Sequence, residues 1–436
     1  MTKGLTRRTV LKGLGGAAVA WGAANALGVR AVAAEPVHLK FMVWNYQVQT
    51  VQQFITQFET ENPDIKVDTE VIPGNEYIPK IQLMQNAKTP FDVLYVADGI
   101  LAQWSPWLQP LDAYDGAGAL KQQMLPVALR SMTYQSRLYG LPYFSSYFAL
   151  IYNDRMLKAA GFAAPPKTYE EWSDQARAIK SKGLAKTPML WPVKIAGWGG
   201  IWVVNAMAAS RGGRVLDDSL NMTPIALASL RWWVSTYKEG LSDPNGIELD
   251  PNTSATAFMG GDYATMLTTS FFAGPQWAND KDKSKVYGVT KLGPTPALHR
   301  TAGFARLYAI NGASAHKAEA WRFMRYMGGM NKDGNFVTPK AWVTSGALTW
   351  GYRGVEKDPV VAASLRSWGA DPGQVEANLE NAVPMSGIVP FQAVWYSEWE
   401  TYANGVLQDM LVGRTPVDQG AQAWSAKAKE LAARYK

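Results

Sequence analysis

Residues Leu39 to Val71 have the sequence LKFMVWNYQVQTVQQFITQFETENPDIKVDTEV. Leu39, Phe41 and Val43 alternate with Lys40, Met42 and Trp44, which is the period-two pattern of a strand. Apolar residues then recur at helical spacing from Val48 to Phe58, until Asn62-Pro63 ends the helix. The segment from Ile65 to Val71 predicts a second strand.

The next strand signal is the run from Phe91 to Val96, apolar apart from Asp92, which suits a strand that is buried on both faces. The resulting order of strand, helix, strand, helix and strand predicts a parallel α/β lobe. A second α/β lobe is predicted from Phe148 onward, with a strand over Phe148–Tyr152 after a short aromatic run and a helix that begins near Thr168. Met266–Thr269 and Ala305–Ile310 predict further strands.

The amino terminus has the features of an export signal. Arg7 and Arg8 directly precede a Gly/Ala-rich stretch, residues 13–28, and Ala31-Val32-Ala33 supplies the small residues that a signal peptidase requires. The sequence therefore predicts a twin-arginine signal over residues 1–33 and a mature start near Ala34. An uncleaved membrane anchor is the alternative, but anchors need about 20 predominantly apolar residues.

Charge and composition exclude several classes of protein. The chain carries +7 overall, and the signal holds five of its 43 basic residues and no acidic one, so the mature chain has 38 basic and 36 acidic residues. No Lys/Arg cluster remains to indicate nucleic-acid binding. The absence of cysteine excludes disulfides, cysteine nucleophiles and a lipid-modified amino-terminal cysteine. The three histidines form no metal-binding motif, so we expect no metal and no cofactor.

Four stretches carry a resemblance to a known family: FETENPDIKV (58–67), FDVL (91–94), LYGLP leading to LIYN (138–153), and GGDYATM (260–266). In this order and spacing, the mature chain resembles the extracellular solute-binding protein family 1, the maltose-binding-protein-like substrate-binding proteins of sugar ABC transporters. The resemblance implies a periplasmic, monomeric, non-enzymatic protein. Such a protein would deliver a carbohydrate to ABC permease membrane subunits with a cytoplasmic ATPase.

The resemblance also implies the type II periplasmic binding protein fold, an α/β fold with two lobes and three hinge crossings. Crossings are expected near residues 145–147, 304–308 and 345–350. Lobe 1 would then comprise residues 34–145 and 308–346, and lobe 2 residues 146–307 and 347–436. The ligand would lie between the lobes, and hinge closure would follow binding.

A sugar site combines flat aromatic rings with short polar side chains at loop tips. The ligand-binding residues that the family pattern implies are Trp44, Asn45, Asp98, Ser146, Trp198, Gly199, Gly200, Thr269, Ser270, Phe272, Gly303, Phe304, Arg306 and Trp395. Ser146 departs from the maltose-binding pattern, which has an acidic residue there, and this puts maltose specificity in question.

Several of these residues have a structural alternative. Trp44 and Trp395 would otherwise be core residues, Asp98 would cap the following helix, and the glycine pair Gly199-Gly200 would form an ordinary turn. Arg306 is expected in a surface ion pair, or else in a bidentate contact with an anionic ligand group.

The main rival function is that of a carbohydrate-active enzyme, which needs two facing carboxylates. Glu170-Glu171, Asp217-Asp218 and Glu398-Glu400 are candidates by residue type only, and such neighbours usually belong to a solvated face. An adaptor or structural protein would show repeats, and the sequence has none. Within the binding-protein class, the ligand alternatives are a polyol, glycerol phosphate or an acidic sugar.

We expect replacement of both Arg7 and Arg8 by lysine to trap the protein in the cytoplasm, because recognition of the signal depends on the paired guanidinium groups. Fractionation and immunoblotting would measure this, with Arg30→Lys as a control outside the pair. Normal periplasmic amounts of the double variant would refute the twin-arginine interpretation.

Overall fold

A computed structural model describes residues 35–195, 199–297, 300–385 and 390–436. The predicted export signal, residues 1–33, lies outside the described residues. Within them the strands are Val37–Trp44 (β1), Ile65–Ile72 (β2), Val93–Ala97 (β3), Thr133–Tyr134 (β4), Arg137–Leu138 (β5), Leu141–Asn153 (β6), Met189–Leu190 (β7), Thr265–Thr269 (β8), Thr290–Gly293 (β9), Ala302–Ile310 (β10) and Val383–Pro384 (β11).

The helices of the first half are Val48–Glu61 (α1), Gly74–Asn86 (α2), Leu101–Trp104 (α3), Ala117–Gln123 (α4), Pro126–Ser131 (α5), Asp154–Ala160 (α6), Tyr169–Ser181 (α7) and Gly200–Ser210 (α8). Those of the second half are Pro224–Lys238 (α9), Pro251–Met259 (α10), Lys317–Gly328 (α11), Val337–Gly346 (α12), Pro359–Ser367 (α13), Pro372–Asn381 (α14), Tyr396–Leu411 (α15) and Val417–Arg434 (α16).

The amino-terminal elements form as the sequence predicts. β1 is parallel to β2 and to β3, with Phe41 aligned with Thr69 on one side and Val93 on the other. α1 ends at Glu61, directly before Asn62-Pro63. The predicted parallel α/β unit is therefore confirmed, although Met42 is buried as well as Phe41 and Val43 because β1 lies inside the sheet.

The predicted start of α7 is also confirmed. The Thr168 hydroxyl accepts a hydrogen bond from the backbone N–H of Glu171 at 3.1 Å, and the Glu171 carboxylate accepts one from the backbone N–H of Lys167 at 2.7 Å. These two bonds satisfy donors at the helix start that have no partner within the helix.

Strand β6 is longer than the sequence predicts. The aromatic run before Phe148 belongs to the same strand, and all of its 13 residues are buried. Residues 141–147 pair with β10, whereas residues 148–152 pair with β8. Burial on both faces removes the polar alternation that would have marked the whole strand.

The central strands join the sheet into one path, in the order β2-β1-β3-β10-β6-β8-β7. β10 is antiparallel to both β3 and β6, and a bulge follows Arg306 in its pairing with β6. The three segments that we expect to be crossings are neighbours, because Ser145 is aligned with Ala305 and its carbonyl accepts a hydrogen bond from the Thr349 hydroxyl. The lobe boundaries themselves remain a prediction.

Gly303 lies where β6, β10 and β11 meet. A Cβ atom at this residue would lie 2.7 Å from the Ala382 Cβ and 2.8 Å from the Val127 Cγ2. Both distances are too short for carbon atoms, so Gly303 permits close packing here. Close packing therefore accounts for a glycine at residue 303 without any ligand contact. This differs from the expectation that Gly303 belongs to the ligand site.

We expect Gly303→Ala to lower the free energy of unfolding by about 1–3 kcal/mol through overpacking. Gly118 in α4 is the matched control, because a Cβ there meets nothing within 4 Å. Gly118→Ala should leave stability unchanged or raise it by up to about 1 kcal/mol. Guanidinium unfolding of both variants measures the difference, and equal midpoints would contradict the packing role.

Candidate functional site

A buried ion pair lies at the edge where β3 ends. The antiparallel register of β10 against β3 places Arg306 opposite Ala97, and Asp98 follows Ala97 directly. The Arg306 Nη1 atom donates to the Asp98 Oδ1 at 2.7 Å, and the Asp98 side chain is fully buried. The expectation of a surface ion pair for Arg306 is therefore wrong about its location, since strand pairing carries the pair into the interior.

Asp98 uses both carboxylate oxygens within the protein. Oδ1 accepts hydrogen bonds from Arg306 and from the backbone N–H of Gly99, and Oδ2 accepts from the Ser131 hydroxyl at 3.1 Å and from the backbone N–H of Ala305 at 3.2 Å. The bond from Gly99 also satisfies one backbone donor at the start of the turn that Asp98 begins. With four protein donors in place, Asp98 positions Arg306 and has little capacity left for a ligand hydroxyl.

Aromatic rings surround the guanidinium group. The Arg306 Cζ lies 4.9 Å from the centre of the Phe304 ring and 5.5 Å from that of Trp202. Trp202, on α8, also packs edge-on against Phe304 and Phe391 at centroid distances of 5.2 Å and 5.4 Å. A cation over aromatic faces is attracted by their electron density, so these rings help to hold Arg306 in place.

Glu400 on α15 completes this cluster, and the sequence analysis named it only as a candidate carboxylate of the rival enzyme function, not as a ligand-binding residue. Its Oε1 accepts hydrogen bonds from the Trp202 Nε1 and from the Tyr396 hydroxyl, the latter at 3.1 Å. Burial raises the pKa of Glu400 to about 7, and nearby Arg306 only partly opposes this shift. Glu398 does lie on the exposed face and pairs with Arg434. The spacing of Tyr396 and Glu400, four residues apart on one helix face, was the available signal.

Hydroxyl groups lie where β6 changes from pairing with β10 to pairing with β8. The Ser146 hydroxyl lies 3.2 Å from that of Ser270, which follows β8, and both residues are buried. The Thr269 hydroxyl is also buried and has no hydrogen-bond partner among the described residues. A buried polar atom without a partner is uncommon, so Thr269 is a candidate donor or acceptor for a solute.

Gly199 and Gly200 shape the junction between α8 and α15. A Cβ at Gly199 would lie 2.2 Å from the Pro192 carbonyl oxygen, and one at Gly200 would lie 2.1 Å from the Asn404 Oδ1. The backbone N–H of Gly200 donates to the Pro192 carbonyl at 2.8 Å. This amide is thus used within the protein, which favours the structural alternative for Gly200. Trp198, the remaining candidate of this loop, lies outside the described residues.

Two candidates near β1 belong to a separate aromatic cluster. The Trp44 ring packs on Tyr95 at 4.5 Å between centroids and edge-on against Tyr77 at 5.3 Å, and it remains partly exposed. The exposed Asn45 side chain accepts a hydrogen bond from the backbone N–H of Gly74. Packing in this cluster, the structural alternative for Trp44, therefore accounts for the buried part of the ring. The exposed part of the ring is open to a ligand.

Phe272 and Trp395 are both buried. Phe272 packs on Phe271 and Trp277, with ring centroids 4.4 Å and 5.0 Å apart. Trp395 directly precedes the first residue of α15 and is 8% exposed. The surrounding side chains therefore cover the Trp395 ring, and the ring does not face an open cleft.

The described part of the chain contains no group of three or more His, Asp or Glu side chains that could hold a metal ion. None of its helices is both long and apolar enough to cross a membrane. The cluster around Arg306 offers aromatic faces, hydroxyls and one carboxylate oxygen, which are groups suited to holding a polar solute.

Comparison with known proteins gives a consistent result. The sequence profile of the bacterial extracellular solute-binding protein family matches residues 44–330. The maltotriose-binding protein of Pyrococcus abyssi is 22% identical over 298 residues, which are 66% of this chain and 62% of that protein.

Two solved structures are similar over almost the whole chain. Maltose-bound MalE3 of T. maritima has a TM-score of 0.77 and 20% identity, covering 91% of this chain and 100% of that one. A solute-binding protein of an ABC transporter from Agrobacterium radiobacter, in complex with ribitol, has a TM-score of 0.75 and 19% identity, covering 91% and 99%. The fold is therefore the two-lobed α/β fold that the resemblance implies, and the match over residues 44–330 shows that the chain belongs to the family of bacterial extracellular solute-binding proteins.

Proposed function

We propose that this protein captures a small carbohydrate or polyol between its two lobes and delivers it to the membrane subunits of an ABC importer. We further propose that it works in the periplasm as a monomer, after export by the twin-arginine route and without a lipid anchor. Ligand binding to both lobes would favour the closed arrangement by a hinge motion.

The observation that carries the proposal is the convergence of rings and polar groups around Arg306. Asp98 directly follows β3 and Arg306 lies in β10, while Trp202 and Glu400 come from α8 and α15. Under the predicted boundaries these helices belong to lobe 2 and Asp98 to lobe 1. The pair of Asp98 and Arg306 thus joins the two predicted lobes, and a solute held beside it would lie at their junction, where its binding can favour closure.

The named ligands of the similar proteins support the same chemical class. One structure holds maltose and another holds ribitol, and both solutes offer several hydroxyl groups on an uncharged carbon frame. Sugars and polyols need hydrogen-bond partners for these hydroxyls and apolar contacts for their C–H groups. The site around Arg306 has both kinds of group.

A thermal-shift screen tests the function directly. We expect at least one neutral sugar or polyol to raise the melting temperature of the mature protein, because a solute that binds only the folded state stabilises it by mass action. The same solutes should be recovered unchanged after long incubation. A screen in which no sugar, polyol or acidic derivative shifts the melting temperature, or in which one of them is turned over, would contradict the proposal.

Trp395 is proposed to pack against the apolar face of the ligand. Truncation of a desolvated aromatic anchor typically costs about 2 kcal/mol or more of binding free energy, which is roughly a thirtyfold loss of affinity. We therefore expect Trp395→Ala to weaken the binding of the solute found in the screen by about thirtyfold, as measured by titration calorimetry.

Trp399→Ala is the matched control for this prediction. Trp399 lies on the same helix, is 1% exposed, and donates its ring N–H to the Trp424 carbonyl at 3.0 Å. Its removal should lower the free energy of unfolding by about 3–5 kcal/mol. If Trp395→Ala causes the same large loss of ligand-free stability and leaves affinity near normal, Trp395 is a core residue and the proposed contact is wrong.

A further inference from the structure

Glu400 has one carboxylate oxygen held in place and one that is available. The Trp202 Nε1–H and the Tyr396 hydroxyl both donate to Oε1. Oε2 has no hydrogen-bond partner among the described residues. The two donors come from different helices, so they fix the orientation of the carboxylate and leave Oε2 as a pre-oriented acceptor.

The charged groups around Glu400 differ in whether an opposite charge balances them. Arg306, Asp98 and Tyr396 are the charged and titratable groups that face it. Asp98 already balances Arg306 through a 2.7 Å contact. Burial and the neighbouring carboxylate keep Tyr396 neutral by raising its pKa well above its usual value. Glu400 is therefore the group whose ionisation sets the net charge of this cluster.

We propose that Glu400 is a ligand-binding residue that accepts a hydrogen bond from a hydroxyl of an uncharged sugar or polyol and disfavours sugar acids. This inference rests on the proposed function. A carboxylate accepts strong hydrogen bonds from hydroxyl groups, whereas a ligand carboxylate beside it would be repelled. Arg306 does not reverse this preference, because Asp98 is bound to it and counters its charge.

The ionisation of Glu400 gives the inference a pH signature. Its pKa is raised from the ordinary carboxyl range to about 7, so the group is largely protonated at pH 6 and largely charged at pH 8. A charged acceptor holds a ligand hydroxyl more strongly. Affinity for a neutral solute should therefore rise between pH 6 and pH 8, and affinity for an acidic solute should fall.

The experiment compares D-glucitol with D-gluconate, and glucose with glucuronate, together with maltose and ribitol. Titration calorimetry of the wild-type protein, Glu400→Gln and Glu398→Gln at pH 6 and pH 8 gives the dissociation constants. Glu398 is the matched control, because it is exposed and lies on the same helix. Unfolding midpoints of the three proteins establish that all are folded.

We expect Glu400→Gln to lose about tenfold or more in affinity for the neutral solute at pH 8, the effect of removing a hydrogen bond to a charged group. It should also lose the pH dependence and most of the discrimination against the matching acid, while Glu398→Gln keeps both. Unchanged affinity, pH dependence and selectivity in a folded Glu400→Gln protein would overturn this inference alone. A wild-type protein that binds none of these solutes would overturn the proposed function and this inference with it.

Discussion

The ion pair between Asp98 and Arg306 is the interaction on which the arrangement of the site depends. A buried charge requires a partner, and removing one member of such a pair typically costs about 3–5 kcal/mol. The pair forms because β10 returns antiparallel beside β3 and places Arg306 next to the residue that follows Ala97. Phe304 and Trp202 then pack on the guanidinium group, and Trp202 in turn orients Glu400. Strand register thus determines where the polar centre lies.

A separate set of side-chain hydrogen bonds joins distant segments of the chain. Gln276 accepts a hydrogen bond from the Gln47 side chain at 2.8 Å and donates one to the Ser345 carbonyl at 2.5 Å, while the Tyr46 hydroxyl donates to the Gly346 carbonyl at 2.5 Å. These bonds connect the start of α1, the end of α12 and the segment after β8. They are side-chain bonds in exposed or partly buried places, so they could break and re-form at small cost in the hinge motion that we propose.

Local pattern was enough to predict α1, the start of α7 and the strands from β1 to β3, because these elements depend on neighbours in sequence. The fold could be predicted from the ordered family stretches. The site was harder. Asp98 and Arg306 were both named, yet their contact arises from residues more than 200 positions apart, and no local pattern contains that information. Glu400 was considered only together with Glu398 as a pair of carboxylates, although residues two apart on a helix do not share a face. Its bond with Trp202 depends on the packing of α15 on α8, which no local pattern contains.

The position of β10 at the centre of the sheet has a consequence for synthesis. β3 and β6 are made early, but the strand that joins them begins only at Ala302, about 205 residues after Ala97. At roughly 5–20 residues per second, the ribosome needs about 10–40 seconds to supply it. During that interval the edges of β3 and β6 have unpaired N–H and C=O groups, which can pair with other chains. The nascent chain therefore passes through a long aggregation-prone stage, and a holdase chaperone that covers these two edges would protect it.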